Sequence, residues 1–399
     1  HRKSSKLVPC DWKTALNTIS NKIKRTNPED IAAIAGALTD TETMYTAKEF
    51  FKGINVKNID CRFNLSNIPC TNTSDWLFNS SIEKIDKIDK LLIIGCDPKR
   101  EAVVLNSRIR QRWLTGSLDI LSLCTPDDLT YKLKSLGDDI SFLSNISVQN
   151  KIKAFFKKSD FPMVILGDSV LTTSQGEKIH KLVKIICQEL NIIRDDWNGF
   201  NILNKYASRV GGLSVGFVPY NGGMSALKIK KSLISGKIKV LFLIEADDFD
   251  ISKNDLKNTY VIYIGHHGDK FAGSADIVLP TTAFTEKRAL FVNLEGRPQF
   301  TKKILSNLGK AVDGWKVFKA LDQKLASSIK FNNHAELLRS IFEEHPDLSN
   351  IGSLPKVKWF KANVKKVLLN SERNNFFTNN FYQTCSISRS SENMANCVK

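Results

Sequence analysis

Short apolar runs that do not alternate with polar residues constrain this chain more than any other feature. Ile31–Ala35, Leu91–Ile94, Met163–Leu166, Val240–Ile244 and Val261–Ile264 are apolar on both faces, and Leu118–Leu123 and Asp276–Leu279 also read as strands. A strand with one wet face alternates, whereas an uninterrupted run marks a parallel sheet covered by helices on both sides. Helical stripes lie between the runs. Asp40 is placed to cap a helix with Met44, Ala47 and Phe51 on one face. Leu105, Ile109 and Trp113 follow Pro98 in a helix ended by Gly116. Ser174 and Glu177 form a capping-box pattern before Ile179, Leu182, Val183, Ile186 and Leu190. Strand–helix–strand order of this kind predicts an α/β chain with doubly wound, mostly parallel sheets. Ligands of such sheets bind at the carboxyl ends of strands, where the loops after Gly95, Gly167 and Gly265 would lie. After Gln299 the pattern changes. Asp313 precedes a helix with Val317, Phe318, Leu321 and Leu325, and a second helix runs near Ala335–Phe342. The polar remainder reads as a helical and extended tail that wraps over the domains or reaches a neighbour.

The 399 residues suffice for roughly two to three domains. No apolar run approaches the roughly 18–20 residues that span a bilayer, and no secretory pattern opens the chain. The chain opens on His1 rather than Met, so an upstream part is expected to have been removed or to lie outside it. The net charge of +17 is spread over scattered lysines without a nucleic-acid-binding motif, so the expectation is a solvated basic surface. Eight cysteines (Cys10, Cys61, Cys70, Cys96, Cys124, Cys187, Cys385 and Cys397) form no C-x-x-C pair and no tight cluster. Iron–sulfur and zinc sites need several thiolates at one point, and those local spacings are missing. A disulfide scaffold does not suit so large a chain; reduced, mostly buried thiols in a reducing compartment are expected.

Catalytic patterns are sparse. Leu171–Lys178 has the wrong spacing for a phosphate-binding P-loop, and Gly211–Gly216 lacks its lysine, so both read as flexible loops. No G-x-G-x-x-G follows a strand and no G-x-S-x-G elbow occurs. His266-His267-Gly268-Asp269 is the only compact His/Asp cluster. Adjacent histidines on an extended chain point to opposite sides, which predicts a turn packed on a neighbouring domain rather than a metal site. His180, His334 and His345 have no ligand partner close in sequence. The pairs Asp138–Asp139, Asp195–Asp196 and Asp247–Asp248 are expected to be solvated or capping, since acid–base work requires a shifted pKa. No catalytic, cofactor-binding or metal residue is assigned on these patterns.

Several segments in order resemble the large iron–sulfur subunit of respiratory complex I, in the region after its clusters. They are Asp11–Leu16, Ile31–Gly36, Gly95–Ala102 with Asn106–Arg110, Asp128–Tyr131, Leu136–Asp138, Ile264–Asp269, Ala275–Pro280, Thr285–Lys287, Val292–Arg297, and the ending from Phe381-Tyr382 through Ser386–Arg389 to Met394–Lys399. That region is similar in turn to molybdopterin-dependent oxidoreductases such as formate dehydrogenase. The resemblance implies a molybdopterin oxidoreductase-like fold in two interleaved domains, 1–74 plus 237–310 and an inserted 75–236, followed by a tail over 311–399. It implies a non-catalytic part of the NADH-oxidising peripheral arm, on the matrix side of the mitochondrial inner membrane. Independent activity is not expected outside the NADH:ubiquinone reductase assembly. Implied partners are the NADH-oxidising subunits and whatever carries the cysteine-ligated iron–sulfur clusters, either an upstream part or another chain; no cofactor is expected in this chain, and neither nucleic acid nor membrane insertion. The alternative is a molybdopterin-dependent enzyme of the formate dehydrogenase kind with Ser66 or Cys61 on the metal. Only a helical tail follows Gln299, however, so the domain that completes the cofactor cage in such enzymes is missing from the pattern.

Overall fold

The computed structural model describes residues 1–3, 6–362, 367–372 and 382–398; Phe381 and Lys399 of the family-like ending, and Lys365 and Lys366 among the scattered lysines, lie outside them. In chain order the strands of its two large sheets are β1 (Ile31–Ala35), β2 (Asn58–Asp60), β3 (Lys90–Ile94), β4 (Asp119–Leu123), β5 (Lys134–Ser135), β6 (Pro162–Gly167), β7 (Phe200–Leu203), β8 (Val240–Ile244), β9 (Tyr260–Gly265) and β10 (Ile277–Pro280). The first sheet has five strands in the order β10-β9-β8-β1-β2, and the second has five in the order β5-β4-β3-β6-β7. Every neighbouring pair in both is parallel. The central strands β1, β6 and β8 are buried from end to end, as their unbroken apolar runs require. Sequence patterning passes over β2, β5 and β7. They are two to four residues long and carry Asn, Asp, Lys or Ser, so no apolar run announces them.

The helices that matter here are α1 (Trp12–Lys24), α2 (Thr41–Gly53), α3 (Val103–Leu114), α4 (Gly176–Glu189), α5 (Ala226–Ile234), α6 (Gly314–Leu325) and α7 (His334–Glu344). Asp11 and Asp40 cap α1 and α2, accepting from the Thr14 and Thr43 amides. The expected capping box at Ser174 and Glu177 does not form: Gln175 holds the N-cap position and α4 begins at Gly176. The helix expected after Pro98 is broken at Ala102 into a four-residue turn and α3.

Helix α5 falls within the range 75–236, yet Ala226, Ile229 and Leu233 pack with Ala32, Ile34 and Leu241 of the first sheet. The first helix after Gln299 is also no loose appendage. Phe318 of α6 lies 5.9 Å from Phe50 and 5.8 Å from Phe51, and Phe51 reaches Phe242 of β8 at 5.1 Å. Burying each such aromatic contributes about 1.5–3 kcal/mol, so α6 belongs to the core of the first sheet. A separate antiparallel hairpin, β11 (Leu290–Val292) with β12 (Pro298–Phe300), turns through Glu295–Arg297. Helix α7 packs beside α2, with Tyr45 Oη donating to Glu344 at 2.9 Å, and the tail at residues 362 and 370 touches the last turn and the N-cap of α4. The Ala362 amide donates to Gln188 Oε1 at 3.0 Å, and the Asn370 amide to Gln175 Oε1 at 2.7 Å.

Candidate functional site: the crevice between the sheet ends

Both sheets reverse their winding direction at one place, between β1 and β8 in the first and between β3 and β6 in the second. There the loops leaving adjacent strands diverge and open a crevice. Gly36, after β1, is so close to the loop after β8 that a Cβ would overlap the Glu245 carbonyl; Gly167, at the end of β6, stands in the same relation to the Gly95 carbonyl after β3. The loops after β1, β2, β3, β7, β8 and β9 meet at a cleft of about 810 Å³. Its walls include Leu38, Phe63 and Asn64, Arg100 and Glu101, Lys205 and Tyr206, Asp248, and Lys270. Gly95 and Gly265 therefore open loops at this cleft, as expected from their positions after strands, whereas no residue of the loop after Gly167 is among those that line it.

Behind the cleft the first sheet holds a buried ionic network. Lys287, between β10 and β11, bonds Asp40 Oδ2 and stands 3.8 Å from Glu245 Oε1, with all three side chains less than 5% exposed. Thr281 donates to Glu245 Oε1 at 3.3 Å, and His266 Nε2 lies 3.8 Å from Glu245 Oε2. Burial pushes the Glu245 carboxyl up to about 7, despite Lys287. Burial, reinforced by the Lys287 charge, pushes His266 down to about 3. The nearby Glu42 carboxylate accepts the Leu290 amide at 2.9 Å and faces His334 Nε2 at 3.1 Å; burial raises its pKa too. This closed set of pairs fixes loops and leaves no side chain of the network among those that line the cleft. Sequence reasoning missed it, although Lys287 sits in the Thr285–Lys287 segment and Glu245 directly follows β8.

The predicted residues sort differently. His266 and His267 do not point apart: their rings meet edge to face at 5.0 Å, with the Nδ1 atoms 2.8 Å apart, because the chain turns after β9. That turn is shaped less by a neighbouring domain than by Asp247, whose carboxylate accepts the amides of Asp269, Lys270 and Phe271 at 2.9–3.0 Å. Asp247 is thus a buried loop organiser, not a solvated carboxylate. Asp139 caps a turn, accepting from the Ser141 amide at 2.9 Å. Gly211 and Gly212 lie in a short buried helix, Arg209–Ser214, rather than a flexible loop, and Leu171–Lys178 runs into α4. His180 Nε2 lies 2.8 Å from the Asp75 carbonyl, and His345 is half-buried beside Glu344. Cys61, Cys96, Cys124 and Cys187 are buried, Cys70 and Cys385 half-buried, and Cys10 and Cys397 exposed. Among the described residues no group of His, Cys, Asp and Glu is arranged to hold a metal ion.

Cys61 and Ser66 do not fit a metal-ligating role. The segment around them is immobilised by Asp60, which accepts from Arg62 Nε and Nη2 at 2.9 and 2.8 Å and from the Ala226 amide at 2.8 Å. The Cys61 thiol packs against the face of Gly212, and burial, then the Asp60 charge, hold it protonated well above the usual thiol range. The Ser66 hydroxyl is buried without a partner among the described residues and does not line the cleft. Phe63 and Asn64 face the cleft instead. Asn64 donates to Asp168 Oδ2 at 2.6 Å, and Arg209, 1% exposed, joins both between the rings of Phe63 and Tyr206. Arg209 and Asp168 carry no sequence signal beyond the position of Asp168 after Gly167.

Residues 1–324 match the family model for molybdopterin oxidoreductases, and residues 361–397 match the model for the C-terminal region of the NADH-ubiquinone oxidoreductase G subunit. The whole chain is 36% identical to the G subunit of the NADH-quinone oxidoreductase of Rickettsia bellii, of which it spans 56%. It is 31% identical to the mitochondrial 78 kDa subunit of NADH-ubiquinone oxidoreductase of Candida albicans, spanning 55% of it. Thus the chain spans about half the length of these curated relatives. Among solved structures, a chain of the formyltransferase/hydrolase complex of Methylorubrum extorquens aligns with a TM-score of 0.61 at 12% identity, over 81% of this chain and 98% of that one. Acetylene hydratase of Pelobacter acetylenicus aligns with a TM-score of 0.54 at 14% identity, over 85% of this chain and 62% of that one. At such identities the structures bear on the fold alone, and they agree with the doubly wound reading. The chain belongs to the molybdopterin oxidoreductase family, with the C-terminal region of the NADH-ubiquinone oxidoreductase G subunit at its end.

Proposed function

We propose that this chain is a non-catalytic structural portion of the peripheral, NADH-oxidising arm of complex I, where it supports electron transfer from NADH to ubiquinone carried out by other chains or other parts of its own polypeptide. The observation that carries this reading is similarity along the entire chain to relatives that are G or 78 kDa subunits of NADH-quinone and NADH-ubiquinone oxidoreductases, in a chain whose eight cysteines form no ligand cluster. The cleft adds support. Where a molybdopterin enzyme would present a metal ligand, this chain presents Phe63 and Asn64, with Cys61 and Ser66 buried behind them. Under this reading the cofactors of the arm, its iron–sulfur clusters, reside upstream or in a partner chain, and the NADH-oxidising subunits are neighbours. On the same reading the assembly sits on the matrix side of the mitochondrial inner membrane; no helix among the described residues is long and apolar enough to cross a membrane. Native mass spectrometry of the assembled arm tests the proposal. The expected result is this chain together with cluster-bearing and NADH-oxidising partners. A purified NADH-oxidising arm that lacks this chain would overturn it, and stoichiometric molybdenum or tungsten bound to the chain would replace it with the enzymatic alternative.

A further inference from the structure

The tail segment that matches the C-terminal family model ends against the first sheet, and its contact there is a built one. Arg389 is 12% exposed at its side chain and ion-pairs with three carboxylates. Its Nε donates to Asp269 Oδ2 at 2.9 Å and Nη2 to Asp269 Oδ1 at 3.0 Å, a two-pronged bond; Nη2 also reaches Asp247 Oδ2 at 3.1 Å, and Nη1 donates to Asp248. A planar guanidinium suits this set because its donors are fixed in a fork, whereas an ammonium offers a single point of charge. The carboxylates come from the loops after β8 and β9. Earlier along the tail the contacts are with the second domain: Lys184 Nζ lies 4.6 Å from the Trp359 ring centroid, and Ser371 donates to Asp139, which also accepts the Glu372 amide at 3.2 Å. Between these anchor points the tail contributes Thr384 and Cys385 to the wall of the cleft.

We propose that residues 382–398 are a built-in ligand of the crevice: the Arg389 guanidinium occupies a carboxylate site at the carboxyl ends of β8 and β9, walls off the cleft, and clamps the first sheet to the second. This assigns a role to the C-terminal family region and does not depend on the partners proposed above. Two features favour the chain's own arginine over a free cation. Asp247 already engages both oxygens with the 269–271 amides, which presents Asp269 outward, and the bound segment is covalently tethered, so it competes at high effective concentration.

The test uses the full chain with Arg389→Gln and Arg389→Lys, read by hydrogen exchange and by peptide-resolved alkylation of the half-buried Cys385. The expected result for Arg389→Gln is at least tenfold faster alkylation of Cys385 and faster exchange of amides 269–271, with exchange of β3 and β6 unchanged. Arg389→Lys is expected to restore protection only in part. Asp269→Asn serves as a second route, since it removes the two-pronged acceptor without touching the tail. Wild-type protection of Cys385 in both Arg389→Gln and Asp269→Asn overturns the clamp. Assembly into the arm is scored separately by native mass spectrometry, so loss of the clamp and loss of the partners are distinct outcomes.

Discussion

At the switch point of the first sheet Gly36 lies against the Glu245 carbonyl, and at that of the second Gly167 lies against the Gly95 carbonyl. The backbone problem is the same in both: two loops must part from adjacent parallel strands at van der Waals distance, and a side chain there would collide with main chain. The side chains around each point differ. The first buries Asp40, Glu245, Lys287 and His266 in one network. The second packs Val170 onto Gly95 and splits its charges: Asp168, next to Gly167, is buried with Arg209, while Lys205 pairs with Glu101 at 2.9 Å on the wall of the cleft. The comparison separates what the topology demands, a glycine, from what it leaves free, the chemistry behind it.

The sharpest way to break the contrast is Lys287→Met. It leaves Asp40 and Glu245 buried without that cation, and removing one partner of a buried pair costs about 3–5 kcal/mol. Urea denaturation should show the loss, and hydrogen exchange should place it in the first sheet. A variant as stable as the wild type would mean that the network is not held as charges. Next in size come Gly36→Ala and Gly167→Ala. Overpacking costs about 1–3 kcal/mol, and both variants should lose similar stability by thermal unfolding if the two switch points share one backbone requirement. Lys205→Met should cost less than Lys287→Met: Glu101 loses the cation that pairs with it, but burial already raises its pKa, so it can take up a proton instead.

The effect of pH is subtler, because two buried groups of the first network act in opposite directions. Glu245 is raised to about 7 from an ordinary carboxylate value. The folded state therefore holds its proton more tightly than the unfolded chain, and its contribution is lost as pH rises toward 7. His266 is lowered to about 3, so the unfolded chain binds that proton more tightly, and stability grows with pH up to the ordinary histidine range. In the mildly acidic range the two slopes oppose each other. Glu245→Gln should expose the rising histidine slope in denaturation midpoints measured over the roughly two pH units below the ordinary histidine pKa. An unchanged profile would remove Glu245 from the titrating set. The smallest effect belongs to Lys99→Ala, which breaks an exposed pair with Asp128 at 2.6 Å beside the second switch point. Its unfolding midpoint should stay within experimental scatter.

The central strands of both sheets were legible because burial on two faces forces a run such as Val240–Ile244 to be wholly apolar. The edge strands β2, β5 and β7 were not, since two or three ladder bonds can be made by nearly any residues. Of the glycines after strands, Gly95 and Gly265 pointed to the cleft, and Gly167 did not. The network around Lys287 could not be read from one sequence: Asp40, Glu245 and Lys287 are distant in the chain, and each by itself looks like any charged loop residue. The same holds for Arg389 and its three carboxylates. Local patterns failed where tertiary contacts offered more. Gly211 and Gly212 look like loop glycines, yet a helix seats them where Thr41, Met44 and Cys61 leave no room for a side chain.

The register of the first sheet also sets an order in time. β1 pairs with β8, Ala33 opposite Phe242, across all five strands of the second sheet. A chain emerging from the ribosome therefore completes β3 to β7, and can close the second sheet, while β1 still waits for its neighbour. During that interval β1 presents an apolar strand with an open edge, the kind of surface that pairs with whatever strand is nearest. The strands of the second sheet, inserted between β2 and β8, thus set how long the first sheet remains unfinished, and slowing their synthesis or folding should lengthen the window in which this chain associates wrongly with itself.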